Sequence, residues 1–221
     1  MVQEPGAAAH ALTAGTCMRI NLPNQITLAR LALTIVFCGL LTRFDASQRE
    51  RMTLLMDVCV GIFMVAALSD LLDGYLARRN NQVTSFGRVV DPFVDKLLVC
   101  GAFVLLLGRN FTDCRTGHNL AGLEAWMVVV ILGRELLVTG LRGLSESAGS
   151  QFAANAAGKL KMTVQCVTVG WILVSLTRAH TSPAWLTWRT GWIRLTLIVT
   201  IASLVVYLFQ ARRILAQQAR A

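Results

Sequence analysis

The sequence predicts an all-α integral membrane protein, a bundle of six transmembrane helices, and three observations carry that prediction. Hydrophobic residues make up 55% of the 221 positions while charged residues make up only 15%, too apolar for an ordinary water-soluble domain. The apolar residues fall into six long runs, at about 24–42, 53–76, 88–108, 121–141, 160–178 and 190–210, each near the roughly 20 residues that a membrane-crossing helix needs. No run shows the period-2 alternation of a barrel strand.

The residues before the first run, RINLPNQITLAR from Arg19 to Arg30, mix polar and apolar types around Pro23, as an interfacial segment turning into a helix does. Residues 1–18 are small and polar, with an acid at Glu4 in place of a basic leader and no continuous apolar stretch. They are expected to form a disordered extension without a cleaved signal, with Met1 or Met18 as the start. Residues 19–213 are then expected to form one six-helix membrane domain and 214–221 a cytoplasmic tail. The stretch 143–158 (GLSESAGSQFAANAAG) is expected to be a flexible connection.

Pro92 lacks an amide hydrogen and belongs in a first helical turn, which predicts that the third helix starts near Arg88 to Asp91. Counting Lys and Arg between the runs gives ten on the face holding both termini, Arg78 and Lys159, against seven on the other. That bias places the first face in the cytoplasm.

The net charge of +9 suits anionic lipid headgroups or a phosphorylated substrate, and no nucleic-acid-binding signature is present. The six cysteines have no paired spacing, which argues against a disulfide framework or a zinc site.

Four of the twelve acidic residues, Asp70, Asp73, Asp91 and Asp95, cluster where the second run ends and the third begins. At spacings of three and four, each pair shares one helix face. An ionised Asp at mid-membrane costs about 2.5–3.5 kcal/mol even on a lenient scale, so the cluster needs cationic company. Arg78, Arg79, Arg88 and Lys96 are near enough to supply it as a salt-bridged cluster. Four hard oxygen donors without His or Cys suit Mg²⁺ or Mn²⁺ better. Gly74, Ala77 and Gly87 leave the backbone beside the carboxylates open, and Arg78 can offer a forked pair of hydrogen bonds to a phosphate.

The pattern Asp70-x2-Asp73-Gly74-x2-Ala77-Arg78-x8-Gly87-x3-Asp91-x3-Asp95 resembles the signature of the CDP-alcohol phosphatidyltransferase family, with all eight fixed positions present. The resemblance implies a homodimeric six-helix fold in the cell inner (cytoplasmic) membrane, with its site open to the cytoplasm. It implies a metal-dependent reaction in which an alcohol displaces CMP from a CDP-linked lipid. Asp70, Asp73, Asp91 and Asp95 would hold two divalent ions, Asp95 would also be the general base, and Gly74, Ala77, Arg78 and Gly87 would shape the CDP pocket.

The acceptor must be chosen further along the chain. Arg134 lies deep in the fourth run, between VVVIL and LLVTGL, with Glu135 beside it. Neighbours on a helix point about 100° apart, so the two are not expected to pair directly. Arg142, Lys159 and Lys161 lie toward the same membrane face, either as snorkelling anchors or, with Arg134, as a pocket for a phosphorylated acceptor.

GRELLVTGLR (133–142), GKLKM (158–162) and NLPNQITLAR resemble a bacterial branch of the family, in which CDP-diacylglycerol and glycerol 3-phosphate are the substrates and phosphatidylglycerophosphate is the product. Phosphatidylglycerol, inositol phosphate or serine are the alternative acceptors within the family. A divalent-cation transporter is the alternative outside it, but the outer halves of runs two and three hold little polar beyond Asp57.

Overall fold

The computed structural model describes residues 22–48, 51–80, 85–147, 156–178 and 183–218; within these, the side chains of 22–24, 70–92, 144–147, 156–157, 159, 211 and 213–218 fall outside the description. Six α-helices make up most of it: α1 (Leu22–Leu41), α2 (Thr53–Asn80), α3 (Ser85–Leu106), α4 (Ala125–Ser147), α5 (Ala156–Arg178) and α6 (Ala184–Gln218). There is no strand among the described residues, only an isolated antiparallel bridge between Thr112 and Asn119.

Each helix buries a stripe with alternating steps of three and four. On α1 it is Thr27, Arg30, Thr34, Phe37 and Leu41; on α2, Met56, Cys59, Phe63 and Ala66; on α6, Ile193, Thr196, Thr200, Ser203 and Tyr207. That spacing keeps one face turned toward its neighbours, as helix bundles require. The helices close a ring in the order α3, α1, α2, α5, α6, α4, with α4 returning to α3.

The two ends of the bundle differ. Around Leu41, Phe63, Phe103 and Leu106 the interior is apolar, and Phe44 stacks on Phe111 with ring centroids 4.6 Å apart. The Asn119 side chain ties the loop after α3 to that helix, donating to the Leu106 carbonyl and accepting from the Ala121 amide. About three turns further along α1 and α3, the interior becomes charged and hydroxylated.

The outward faces are the reverse of a soluble protein's. Leu136 is 74% exposed while Arg134 and Glu135, the residues just before it, are 5% and 7% exposed. Leu54, Val129, Ile198 and Phe209 also face outward. Apolar outside and polar inside is the arrangement that lipid imposes and water opposes. Leu160–Arg178 and Ala184–Gln210 are long and apolar enough to cross a membrane, whereas Gln25–Leu41 and Thr53–Ser69 are shorter apolar stretches.

Four expectations change. The third helix starts at Ser85, so Pro92 sits inside it as the eighth residue and denies the Arg88 carbonyl its usual amide partner. Packing within the bundle offsets a cost that would break an isolated helix. The lead-in to the first helix is shorter than expected, since the NLPNQITLAR stretch is already helical from Leu22 onward. The supposed connection 143–158 shrinks from both sides, with α4 reaching Ser147 and α5 starting at Ala156. In the expected tail, residues 214–218 continue α6. Residues 1–18 lie outside the described residues.

Candidate functional site

Arg30 sits mid-way along α1 and is 1% exposed, which no guanidinium tolerates without a counter-charge. Its partner is Asp95 of α3, with Arg30 Nη1 2.7 Å from Asp95 Oδ1. Both residues lie three turns before the ends of their helices at Leu41 and Leu106, about 17 Å along each axis, so the two helices meet there in parallel register.

Across the ring, α4, α5 and α6 build a second charged group. Glu135 Oε1 accepts from Lys161 Nζ and also lies 3.2 Å from Arg134 Nη1. Arg134 and Glu135 therefore pair directly, contrary to the sequence expectation. Their Cβ atoms diverge, but the long Arg134 side chain curls back so that Nη1 reaches the carboxylate. Arg134 Nε donates to Ser203 Oγ at 3.0 Å, and its Cζ lies 5.1 Å from the centroid of the Tyr207 ring, a cation–π contact.

Tyr207 is itself held closely. A Cβ added at Gly158 would stand 2.9 Å from the Tyr207 hydroxyl, so the helices meet there only because residue 158 has no side chain. Further along the same interface, Thr168 and Thr196 share a hydrogen bond of 2.6 Å. These two contacts fix the antiparallel register of α5 and α6.

The two charged groups are linked through α3. Lys96 Nζ donates to Thr139 Oγ1, and that hydroxyl donates to the Glu135 carbonyl at 2.6 Å. Asp95 and Lys96, about 100° apart on one helix, thus reach α1 and α4 respectively. Lys96, expected to balance the aspartate cluster, is engaged with α4.

Of the residues predicted as a site, the structure brings Arg134 and Lys161 together in one buried cluster and places Asp95 against Arg30. It leaves Arg142 exposed, two turns beyond Arg134. Asp70, Asp73, Gly74, Ala77 and Arg78 occupy the last three turns of α2, and Gly87 and Asp91 the first two turns of α3. Their side chains, like that of Lys159, lie outside the described residues. Among the described residues no three metal-ligating side chains gather.

The composition of the full aspartate set still fits hard divalent cations. Asp95 has the capacity for both roles, since a carboxylate offers about four lone-pair directions and the contact with Arg30 occupies only part of them. Sequence reasoning missed Arg30, Ser203 and Tyr207 as site residues. An arginine within an apolar run was the available signal for the first; nothing local marked the other two.

A family model described as CDP-alcohol phosphatidyltransferase matches residues 20–209. A Bacillus subtilis (strain 168) protein named CDP-diacylglycerol--glycerol-3-phosphate 3-phosphatidyltransferase is 39% identical over 159 residues, covering 70% of this chain and 77% of its own. The Escherichia coli (strain K12) protein of the same name is 34% identical over 158 residues, covering 71% and 78%. One from Rickettsia bellii (strain RML369-C), also so named, is 38% identical over 122 residues, covering 55% and 58%.

Two stability outcomes follow from this packing. Arg30→Leu leaves Asp95 without the guanidinium and should destabilise the protein by about 3–5 kcal/mol, with Arg30→Lys recovering part of the loss. Thermal unfolding in detergent checks it, and an unchanged midpoint for Arg30→Leu would contradict the pairing. Gly158→Ala should cost about 1–3 kcal/mol through overpacking on Tyr207. Adding Tyr207→Phe, which removes the obstructing hydroxyl, should recover much of that cost.

Proposed function

The chain belongs to the CDP-alcohol phosphatidyltransferase family, and from that premise we propose that it transfers the phosphatidyl group of CDP-diacylglycerol to sn-glycerol 3-phosphate, giving phosphatidylglycerophosphate and CMP. The observation that carries the choice of acceptor is the buried Arg134–Glu135–Lys161 cluster, where two cations share one carboxylate and could receive a phosphate monoester. The names of the curated relatives point to the same acceptor.

On this reading the acceptor's phosphate is received by Arg134 and Lys161, with Lys159 and Arg142 toward the opening. Its primary hydroxyl is presented to Asp95, which takes the proton as the oxygen bonds to the lipid phosphorus and CMP departs. Arg30 holds the Asp95 carboxylate in place from the far side. Gly74, Ala77, Arg78 and Gly87 shape the CDP pocket. Asp70, Asp73, Asp91 and Asp95 would hold two Mg²⁺ or Mn²⁺ ions, which would supply charge neutralisation to the diphosphate.

The apolar helices and the family identify a membrane protein. We further propose that all six helices cross the inner membrane, that the aspartate-bearing end opens to the cytoplasm, and that the chain works as a homodimer. The outward-facing leucines and valines support the membrane placement.

Purified protein given Mg²⁺, CDP-diacylglycerol and labelled glycerol 3-phosphate should form lipid-soluble label and release CMP in equal amount. Asp95→Asn should reduce turnover at least 100-fold, by analogy with the usual contribution of a general base. Arg134→Ala should raise KM for glycerol 3-phosphate by roughly tenfold or more. Labelled lipid absent with every divalent metal, while CMP release responds to another alcohol, would refute the acceptor assignment.

A further inference from the structure

The charge in the acceptor recess does not match its proposed ligand. Arg134 and Lys161 bring two positive charges and Glu135 one negative, so the three together carry a single net positive charge. A phosphate monoester carries about −1.5 to −2 at neutral pH. Arg142 and Lys159 stand toward the opening in the proposed reading; beside Arg134 and Lys161 themselves a third cation would match the dianion, and α3 supplies one.

Lys96 has the right position and the right kind of partner. Its described hydrogen bond goes to a neutral hydroxyl, that of Thr139, so that contact leaves its charge uncompensated. Thr139 lies one turn beyond Glu135 and bonds to its carbonyl, which puts the ammonium one helical turn along α4 from the buried cluster. A second feature points to a ligand there: Arg134 Nη2 is buried and has no hydrogen-bond partner among the described residues. A phosphate oxygen would satisfy it.

We propose that Lys96, held by Thr139, is the third cation of the acceptor-phosphate site and sets the acceptor's distance from Asp95, its neighbour on α3. The assignment rests on the reading that the acceptor is a phosphate monoester. With Lys96 included, Arg134, Glu135, Lys161 and Lys96 together carry a net charge of two, the magnitude of a phosphate dianion's. It explains why Lys96 turns toward α4 and away from the face where Asp95 meets Arg30.

The test uses the full chain in detergent with Mg²⁺, combining calorimetric titration with glycerol 3-phosphate and steady-state kinetics. Lys96→Met should raise both Kd and KM for glycerol 3-phosphate about tenfold or more and leave KM for CDP-diacylglycerol unchanged. Lys96→Arg should retain most of the affinity. Thr139→Val, which keeps the ammonium and removes its anchor, should raise KM several-fold; this variant and Lys96→Arg carry the test if Lys96→Met does not fold. Glycerol, which has no phosphate, should bind wild type and Lys96→Met equally weakly.

Unaltered glycerol 3-phosphate affinity in Lys96→Met, with a wild type that binds it, would overturn the inference and leave the proposed reaction standing. A rise in KM for the CDP-lipid alone would return Lys96 to the aspartate cluster and overturn it as well. A wild type that does not bind glycerol 3-phosphate would overturn both.

Discussion

A carboxylate that receives two cations inside an apolar bundle is the constraint on which the rest of this structure depends. Glu135 cannot be buried alone, nor can Arg134 or Lys161, because an unpaired charge in such a place costs several kcal/mol. The three must therefore arrive together, and they come from two helices. Lys161 commits α5 to lie against α4 at one height, and the Arg134 contacts with Ser203 and Tyr207 commit α6 to the same height. Gly158 then allows α5 and α6 to close, and the Thr168–Thr196 bond fixes them again about 15 Å along the interface. Arg30 and Asp95 perform the corresponding service for α1 and α3.

The polar half of the bundle is affordable because the other half is not polar. Phenylalanines and leucines fill the end around Phe63 and Phe103, and the stacked pair of Phe44 and Phe111 closes it. Dispersion and close packing hold that end without any requirement for charge geometry. The charged end is less tolerant: each ion there is held by particular partners, and breaking one pair strands another. Such a division puts close apolar packing on one side and electrostatically organised side chains on the other, and fixed charges of that kind are what a preorganised site requires.

Much of this was legible in the sequence, for reasons that also explain what was not. Hydropathy located the six helices because each carries a long apolar run, and the helices observed overlap every predicted run. Their ends were less legible. Pro92 suggested a helix start, yet the bundle carries the helix back to Ser85, and the polar NLPNQ residues lie within the first turns of α1 or close to them. Arg134 stands out in the sequence as a cation in apolar surroundings and Lys161 as an anchor or pocket cation toward the membrane face, but their shared attachment to Glu135 depends on how α4 and α5 pack. Arg30 was passed over because its neighbours looked interfacial. Ser203 and Tyr207 gave no signal, since a serine and a tyrosine in an apolar helix have many ordinary roles.

The placement of Asp95 and Lys96 shows why these two roles fall on consecutive residues. Side chains one position apart on a helix diverge by about 100°, so a helix lying between two neighbours can serve both from a single level. Here α3 lies between α1 and α4, with Asp95 engaged by Arg30 on one side and Lys96 by Thr139 on the other. In the proposed reaction, the base and the group that grips the acceptor's phosphate are therefore joined by a single peptide unit of one helix, and their separation does not depend on a loop. Inserting a single residue between them would rotate one by a further 100° and lose either its partner or the shared level. The short span of backbone between phosphate and reactive hydroxyl in glycerol 3-phosphate calls for a similarly short and fixed spacing in the protein, where misplacement by about 1 Å is enough to slow a reaction 100-fold.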